Sequence, residues 1–358
     1  MNMVIMAGGS GTRFWPMSRA SRPKQLLKVI GDQPMVRATY ERVKELVADD
    51  RFVVVVGQDH LAETSQLFAD TQVRILAEPL GRNTAPCIGL AAKYLEMQGN
   101  NDPMVILPAD HYIARPAVFR KALHQAAARA EMGGIVTLGI VPTRPETGYG
   151  YIEQEPQEVG SNEIAMQRVR RFVEKPHLGL AKHYMLSGNF YWNAGIFVAT
   201  PRTLLEEFAT HMPLFHEGLQ QLAPFIERPE FPEALARLYE KTQNISFDYA
   251  IMEATRQPVY VISCDCGWSD VGSWNSLYEV RNVEQDERGN VQEGEALVLD
   301  CDASFVMARG GRLVAALGLR NVLVVDTEDA LLVADLERSQ DVKKITSELH
   351  QKGWTGLL

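Results

Sequence analysis

The run Phe52-Val53-Val54-Val55-Val56 limits what this chain can fold into more than any other segment. No polar or charged side chain interrupts it, and β-branched residues favour an extended backbone, so it reads as a strand buried on both faces. Strands of that kind lie between layers of helices. Residues 3–6, 73–76, 105–107 and 134–140 read as further strands, and helical periodicity over 34–46, 61–69, 88–96 and 117–132 separates them. Alternation of the two predicts an α/β fold whose sheet is mostly parallel, with right-handed crossovers. At 358 residues, 46% of them hydrophobic, the chain can bury one large domain and an appendage.

The first strand opens directly into Ala7-Gly8-Gly9-Ser10-Gly11-Thr12-Arg13-Phe14-Trp15-Pro16, followed by Arg19, Arg22 and Pro23-Lys24-Gln25. Clustered glycines let the backbone approach a bound group and take positive φ, and N–H groups there can point at an anion. Four cations beside those glycines, on a chain of formal net charge -9, suggest a polyanionic ligand, most simply a nucleoside triphosphate. The loop is neither a Walker A motif, since no Gly-Lys-Ser/Thr follows, nor a dinucleotide fingerprint, since Phe14 stands where the third glycine would be. The acidic balance also argues against general nucleic-acid binding, which needs a basic face.

That loop, with Arg82-Asn83-Thr84-Ala85-Pro86, Leu107-Pro108-Ala109-Asp110, Phe172-Val173-Glu174-Lys175-Pro176, Trp192-Asn193-Ala194-Gly195 and Trp268-Ser269-Asp270-Val271-Gly272, resembles the sugar-phosphate nucleotidylyltransferases. The Phe-Trp-Pro-Met-Ser form of the loop is similar to the mannose-1-phosphate guanylyltransferase branch, in its short monofunctional form. The resemblance implies a Rossmann-like, mixed but mostly parallel sheet flanked by helices (the nucleotide-diphospho-sugar transferase fold) with a small carboxyl-terminal β domain. It implies transfer of GMP from GTP to mannose 1-phosphate, with Mg²⁺ held by Asp110 and Asp270, in a homodimer. Another sugar 1-phosphate, such as a heptose, or a non-catalytic nucleotide-sugar sensor on the same fold, is the alternative.

Residue by residue, Ala7, Gly8, Gly9, Gly11 and Thr12 are expected to line the nucleotide, Arg13 to cover the departing pyrophosphate and Lys24 the α-phosphate. Glu78 can accept from the amino and N–H edge of guanine. Asn83 and Thr84 either join it or cap the following helix. Asp110, at the end of a buried strand, suits Mg²⁺ held against phosphate oxygens, or a turn. His111 has no spaced partner and is given no chemistry. Glu174 can bind vicinal hydroxyls, Lys175 a phosphate and Asn193 further hydroxyls, while Gly148 lets backbone lie close to the sugar ring. Adjacent strand residues point to opposite faces, so Glu174 and Lys175 converge only if Pro176 ends the strand. Capping adequately explains Asp248, in the first turn of a helix begun by Ser246.

Cys87, Cys264, Cys266 and Cys301 form neither a disulfide framework nor a zinc set, so reduced, buried thiols are expected. No leader-like segment opens the sequence and no apolar run approaches the ~20 residues of a membrane span, which implies cytoplasm and no membrane partner. The catalytic domain is expected over 1–282. Residues 283–358 read as short strands at regular spacing, a left-handed β-helix fragment or similar, with a closing helix over 340–351 and a role in dimerisation that the resemblance implies.

Overall fold

The computed structural model describes residues 1–9, 11–156, 166–226 and 228–358; Ser10 of the glycine loop lies outside them. The chain forms two compact units. One holds Met1–Gly8, Thr39–Ala109 and Ile113–Trp268; the other holds Gly9–Ala38, Asp110–Tyr112 and Ser269–Leu358. The boundary expected at 282/283 falls inside the second unit, which also draws in two segments from earlier in the chain.

The first unit contains the strands β1 (Asn2–Ala7), β2 (Phe52–Gly57), β3 (Arg74–Glu78) and β4 (Met104–Pro108), a two-residue β5 (Tyr112–Ile113) that begins at its border, and then β6 (Ile135–Ile140), β7 (Tyr151–Gln154), β8 (Met166–Val173), β9 (Phe190–Ala199) and β10 (Val259–Ser263). Nine of them form one sheet in the order β3-β2-β1-β4-β9-β6-β10-β8-β7. β1 to β4 are mutually parallel, as are β6 and β10, while β9 and β8 run antiparallel to their neighbours. The sheet is therefore mixed and mostly parallel, as the alternation predicts. The valines of β2 are buried, consistent with helices on both faces. Around Val4, Val55, Ile88, Phe208, Tyr239 and Phe247 lies this unit's core, where each such apolar side chain contributes about 1.5–3 kcal/mol.

Two local features depart from the sequence reading. The helix expected over 88–96 runs over Thr84–Met97, because Asn83, at φ 67, accepts the Thr84 N–H on its side-chain oxygen and starts it early. Pro86 is tolerated because it sits in the first turn, where an N–H has no intrahelical partner. The segment that begins at Ser246 is also not a plain α-helix: Asp248–Met252 forms a π-helical turn, a rare geometry that recurs at functional sites.

In the second unit, Val291–Gly294, Phe305–Ala308 and Val322–Asp326 pair in parallel, and Ala296–Leu299 pairs in parallel with Val314–Leu317. A chain that alternates between two such ladders coils, and each coil buries its side chains only on its neighbours. Phe14 and Trp15 of the glycine loop belong to the same core as Trp274, Phe305, Met307, Leu323 and Val325. The Phe14 and Trp274 rings lie 4.9 Å apart, the Trp15 indole N–H donates to the Leu357 carbonyl at 2.8 Å, and that of Trp274 donates to the Trp15 carbonyl at 3.2 Å. The aromatic pair that replaces the third glycine therefore anchors the loop. All four cysteines are buried and unpaired. Among the described residues no helix is long and apolar enough to cross a membrane.

Candidate active site

In the second unit, three of the expected residues meet on one atom. The Lys24 ammonium, on a side chain only 6% exposed, donates to Asp110 Oδ2 at 2.9 Å, to the Asp110 carbonyl at 2.8 Å and to the Asp270 carbonyl at 2.6 Å. An ammonium has three protons, so all three are committed inside the protein. The lysine that sequence directs at a phosphate instead ties together the two aspartate-bearing loops. Gly11 makes this possible: at φ 55, a Cβ there would lie 2.7 Å from both Cβ and N of Lys24. Gln25 braces the loop by donating to the Gly9 carbonyl at 3.2 Å.

Burial pushes the Asp110 carboxyl up, but the charges of Lys24 and His111 and the Lys24 hydrogen bond outweigh it and hold the group below its ordinary value. His111, given no chemistry from sequence, thus contributes charge. Asp270 Oδ1 accepts the Gly272 N–H at 3.2 Å, and a Cβ on Gly272 would lie 2.5 Å from Asp270 Oδ2. Asp110 and Asp270 carry hard oxygen donors, and Mg²⁺ typically takes one or two carboxylates with phosphates and water completing its shell. Among the described residues no group of three or more His, Cys, Asp or Glu is placed to hold a metal ion. Arg13 and Thr12 stand exposed in the short turn Thr12–Phe14, and Gly9 takes φ 103.

In the first unit, Ala7, Gly8 and Glu78 gather at the carboxyl ends of parallel strands. Glu78 is the last residue of β3, two residues beyond the strand read over 73–76, and is 5% exposed. Tyr239 donates its hydroxyl to Glu78 Oε1 at 3.0 Å. Burial raises the Glu78 pKa to about 7, against hydrogen bonds from Tyr239 and Cys87 that lower it. Its other oxygen lies 3.8 Å from where a Cβ on Gly8 would stand. Asn83 caps its helix, and the Thr84 hydroxyl accepts the Phe247 N–H at 2.9 Å, so both have structural duties.

A second cluster in this unit brings Glu174, Lys175 and Asn193 together. β8 stops at Val173, and Lys175 takes the left-handed φ 47, which folds its side chain back until Nζ lies 2.7 Å from Glu174 Oε1. Strand alternation therefore does not separate them. Gly148 donates its N–H to Glu146 Oε1 at 3.0 Å, but the glycine packed against this cluster is Gly150: a Cβ there would meet Glu174 Oε2 at 2.5 Å and Asn193 Cβ at 3.3 Å. Asn193 donates to Asp248 Oδ1 at 2.8 Å. Asp248 is no mere cap, since the Ser246 hydroxyl already accepts the Tyr249 N–H. Burial and the Glu174 charge push the Asp248 pKa up to about 6, against Lys175 and Asn193. Sequence reasoning missed Asp248, Gly150 and Tyr239. The one available signal was that a helix capped by Ser246 has little need of a second capping carboxylate.

A family model described as nucleotidyl transferase matches residues 2–287, and one described as a MannoseP isomerase/GMP-like beta-helix domain matches residues 294–349. The chain is 42% identical over 354 residues to the xanthan biosynthesis protein XanB of Xanthomonas campestris pv. campestris, spanning 98% of this chain and 73% of that protein. It is 40% identical over 352 residues to the mannose-1-phosphate guanylyltransferase of Klebsiella pneumoniae, spanning 97% and 74%. A crystal structure described as mannose-1-phosphate geranyltransferase from Thermus thermophilus superposes with a TM-score of 0.86 at 36% identity, covering 98% of this chain and 99% of that one.

Proposed function

The chain belongs to the nucleotidyl transferase family, and on that premise we propose that it transfers GMP from GTP to α-D-mannose 1-phosphate, forming GDP-mannose and releasing pyrophosphate. The reading rests on one observation above the others: Asp110 and Asp270, far apart in sequence, are joined through the Lys24 ammonium beside a basic glycine loop.

The nucleophile needs no general base. A phosphate monoester is mostly dianionic near neutral pH, its second pKa being about 6, and its oxygen can attack the α-phosphorus in line with departing pyrophosphate. Catalysis is then positioning and charge neutralisation. Arg13 covers the leaving pyrophosphate, and the glycine-loop N–H groups, with Thr12, hold the triphosphate. Lys24 holds Asp110 and Asp270 in place for Mg²⁺, which when bound neutralises charge on the reacting phosphates. Glu78 reads the guanine edge beside Ala7 and Gly8, with Asn83 and Thr84 shaping that wall. Lys175 fixes the sugar phosphate, while Glu174 and Asn193 bind hydroxyls. A homodimer acting in the cytoplasm belongs to the same proposal.

Pyrophosphate release from each of four nucleoside triphosphates, with mannose, glucose and heptose 1-phosphates as acceptors, tests it. Release is expected with GTP and mannose 1-phosphate. Preferred turnover of heptose 1-phosphate would reassign the acceptor, and nucleotide-sugar binding without release under any pairing would make the protein a sensor.

A further inference from the structure

We infer that Asp248 is a positioning residue for sugar recognition: it fixes the side-chain amide of Asn193 so that this group meets the sugar only as a hydrogen-bond donor. The inference rests on the proposed assignment of Asn193 to the sugar phosphate and adds a residue and a polarity to it.

The argument is one of hydrogen-bond capacity. An asparagine amide has two N–H donors on Nδ2 and a carbonyl oxygen that accepts. Here the Gly195 backbone N–H, which can only donate, lies 3.1 Å from Asn193 Oδ1. Asp248 Oδ1 lies 2.8 Å from Asn193 Nδ2, and an ionised carboxylate can only accept. These contacts independently specify the same amide orientation. Thr137 adds a hydroxyl 3.2 Å from Asn193 Oδ1, sharing its single proton with the Ile196 carbonyl at 3.0 Å. The oxygen is thus taken up by the protein, and one Nδ2 hydrogen is taken by Asp248. Among the described residues no acceptor takes the second.

Asp248 can do this because of where it sits. The π-helical turn Asp248–Met252 follows a cap already provided by Ser246, which leaves the Asp248 carboxylate for Asn193. Gly150 lets Asn193 and Glu174 approach one another, since a Cβ there would collide with Glu174 Oε2 at 2.5 Å and crowd Asn193 Cβ at 3.3 Å. Glu174, whose Oε1 already holds Lys175, offers only acceptors. The pair therefore presents one fixed donor and one fixed acceptor, matching a vicinal diol in which one hydroxyl accepts from Asn193 and one donates to Glu174.

The test is a double-mutant cycle in the full-length protein, with initial rates measured separately against mannose 1-phosphate and GTP. Asp248→Ala and Asn193→Ala are each expected to raise KM for mannose 1-phosphate about tenfold, while kcat and KM for GTP stay within about threefold. Because Asp248 acts through Asn193, the double variant should be no worse than Asn193→Ala alone. Asp248→Asn, whose amide oxygen still accepts, should stay within about threefold of the parent protein. If Asp248→Ala does not fold, Asp248→Ser, too short to reach, replaces it. Additive losses, or an Asp248→Asn variant as impaired as Asp248→Ala, would overturn the inference while leaving the sugar site intact. An Asn193→Ala variant with unchanged KM for mannose 1-phosphate would instead remove the sugar-site reading, and this inference with it.

Discussion

Replacing Lys24 by methionine keeps most of the buried stem and removes the ammonium, so it isolates the charge that joins Asp110 to Asp270. Three hydrogen bonds disappear. A bond to a charged group contributes about 1.5–3 kcal/mol, and a neutral one about 1 kcal/mol. The full sum does not apply. The Asp110 side chain is 39% exposed, so water can rehydrate its carboxylate once the lysine is gone, and solvent already screens the pair. A destabilisation of about 3 kcal/mol is the expected net loss, measured by urea unfolding followed by circular dichroism at pH 7. The pH dependence is sharper. Asp110 has its pKa depressed below the ordinary 3.8, so its contribution is fully present above that value and is lost as pH falls through the lowered one. The stability gap between parent and Lys24→Met should therefore be flat from about pH 5 to pH 8 and narrow below about pH 4. A gap under about 1 kcal/mol at pH 7, or one that widens in acid, would refute the claim that this lysine clamps the two loops.

Glu78→Gln should show the opposite pH behaviour, because burial raises the Glu78 pKa to about 7: the parent loses stability as pH rises from 4.5 through that value, and the glutamine does not. The variant should gain on the parent by a few kcal/mol between about pH 5 and pH 8.5 in thermal or urea unfolding, one pKa unit being about 1.36 kcal/mol, and a pH-independent difference would argue against a buried, titrating carboxyl. Gly150→Ala inserts a methyl 2.5 Å from Glu174 Oε2, so KM for mannose 1-phosphate should rise at least tenfold with circular dichroism unchanged; a normal KM would show that Glu174 moves aside without consequence. Lys175→Ala should raise KM for the sugar phosphate and leave KM for GTP nearly unchanged, and an effect confined to GTP would reverse that assignment.

The class of fold was legible in the sequence because it depends on pattern. An uncharged Phe52-Val56 run can only be a buried strand, and its alternation with helical segments dictates a mostly parallel sheet between helix layers. The glycine loop stood out equally, since glycines and cations side by side after a first strand suggest a polyanionic ligand. Asp110, Asp270, Glu174, Lys175 and Asn193 stood out through the motifs that carry the family resemblance; the first four lie just past the end of a strand, whereas Asn193 lies inside β9.

How those side chains are used was decided by tertiary structure, because it depends on which groups meet across long stretches of chain. Nothing near Lys24 in sequence reveals that its three protons go to residues 86 and 246 positions away. Strand alternation even argued against a Glu174–Lys175 contact, which exists because Lys175 adopts a left-handed backbone. Capping was a sufficient local account of Asp248 until the fold placed Asn193 against it. Local pattern fixes what a segment can become, whereas a hydrogen bond or a shifted pKa belongs to a pair of groups, and only the folded chain creates the pair.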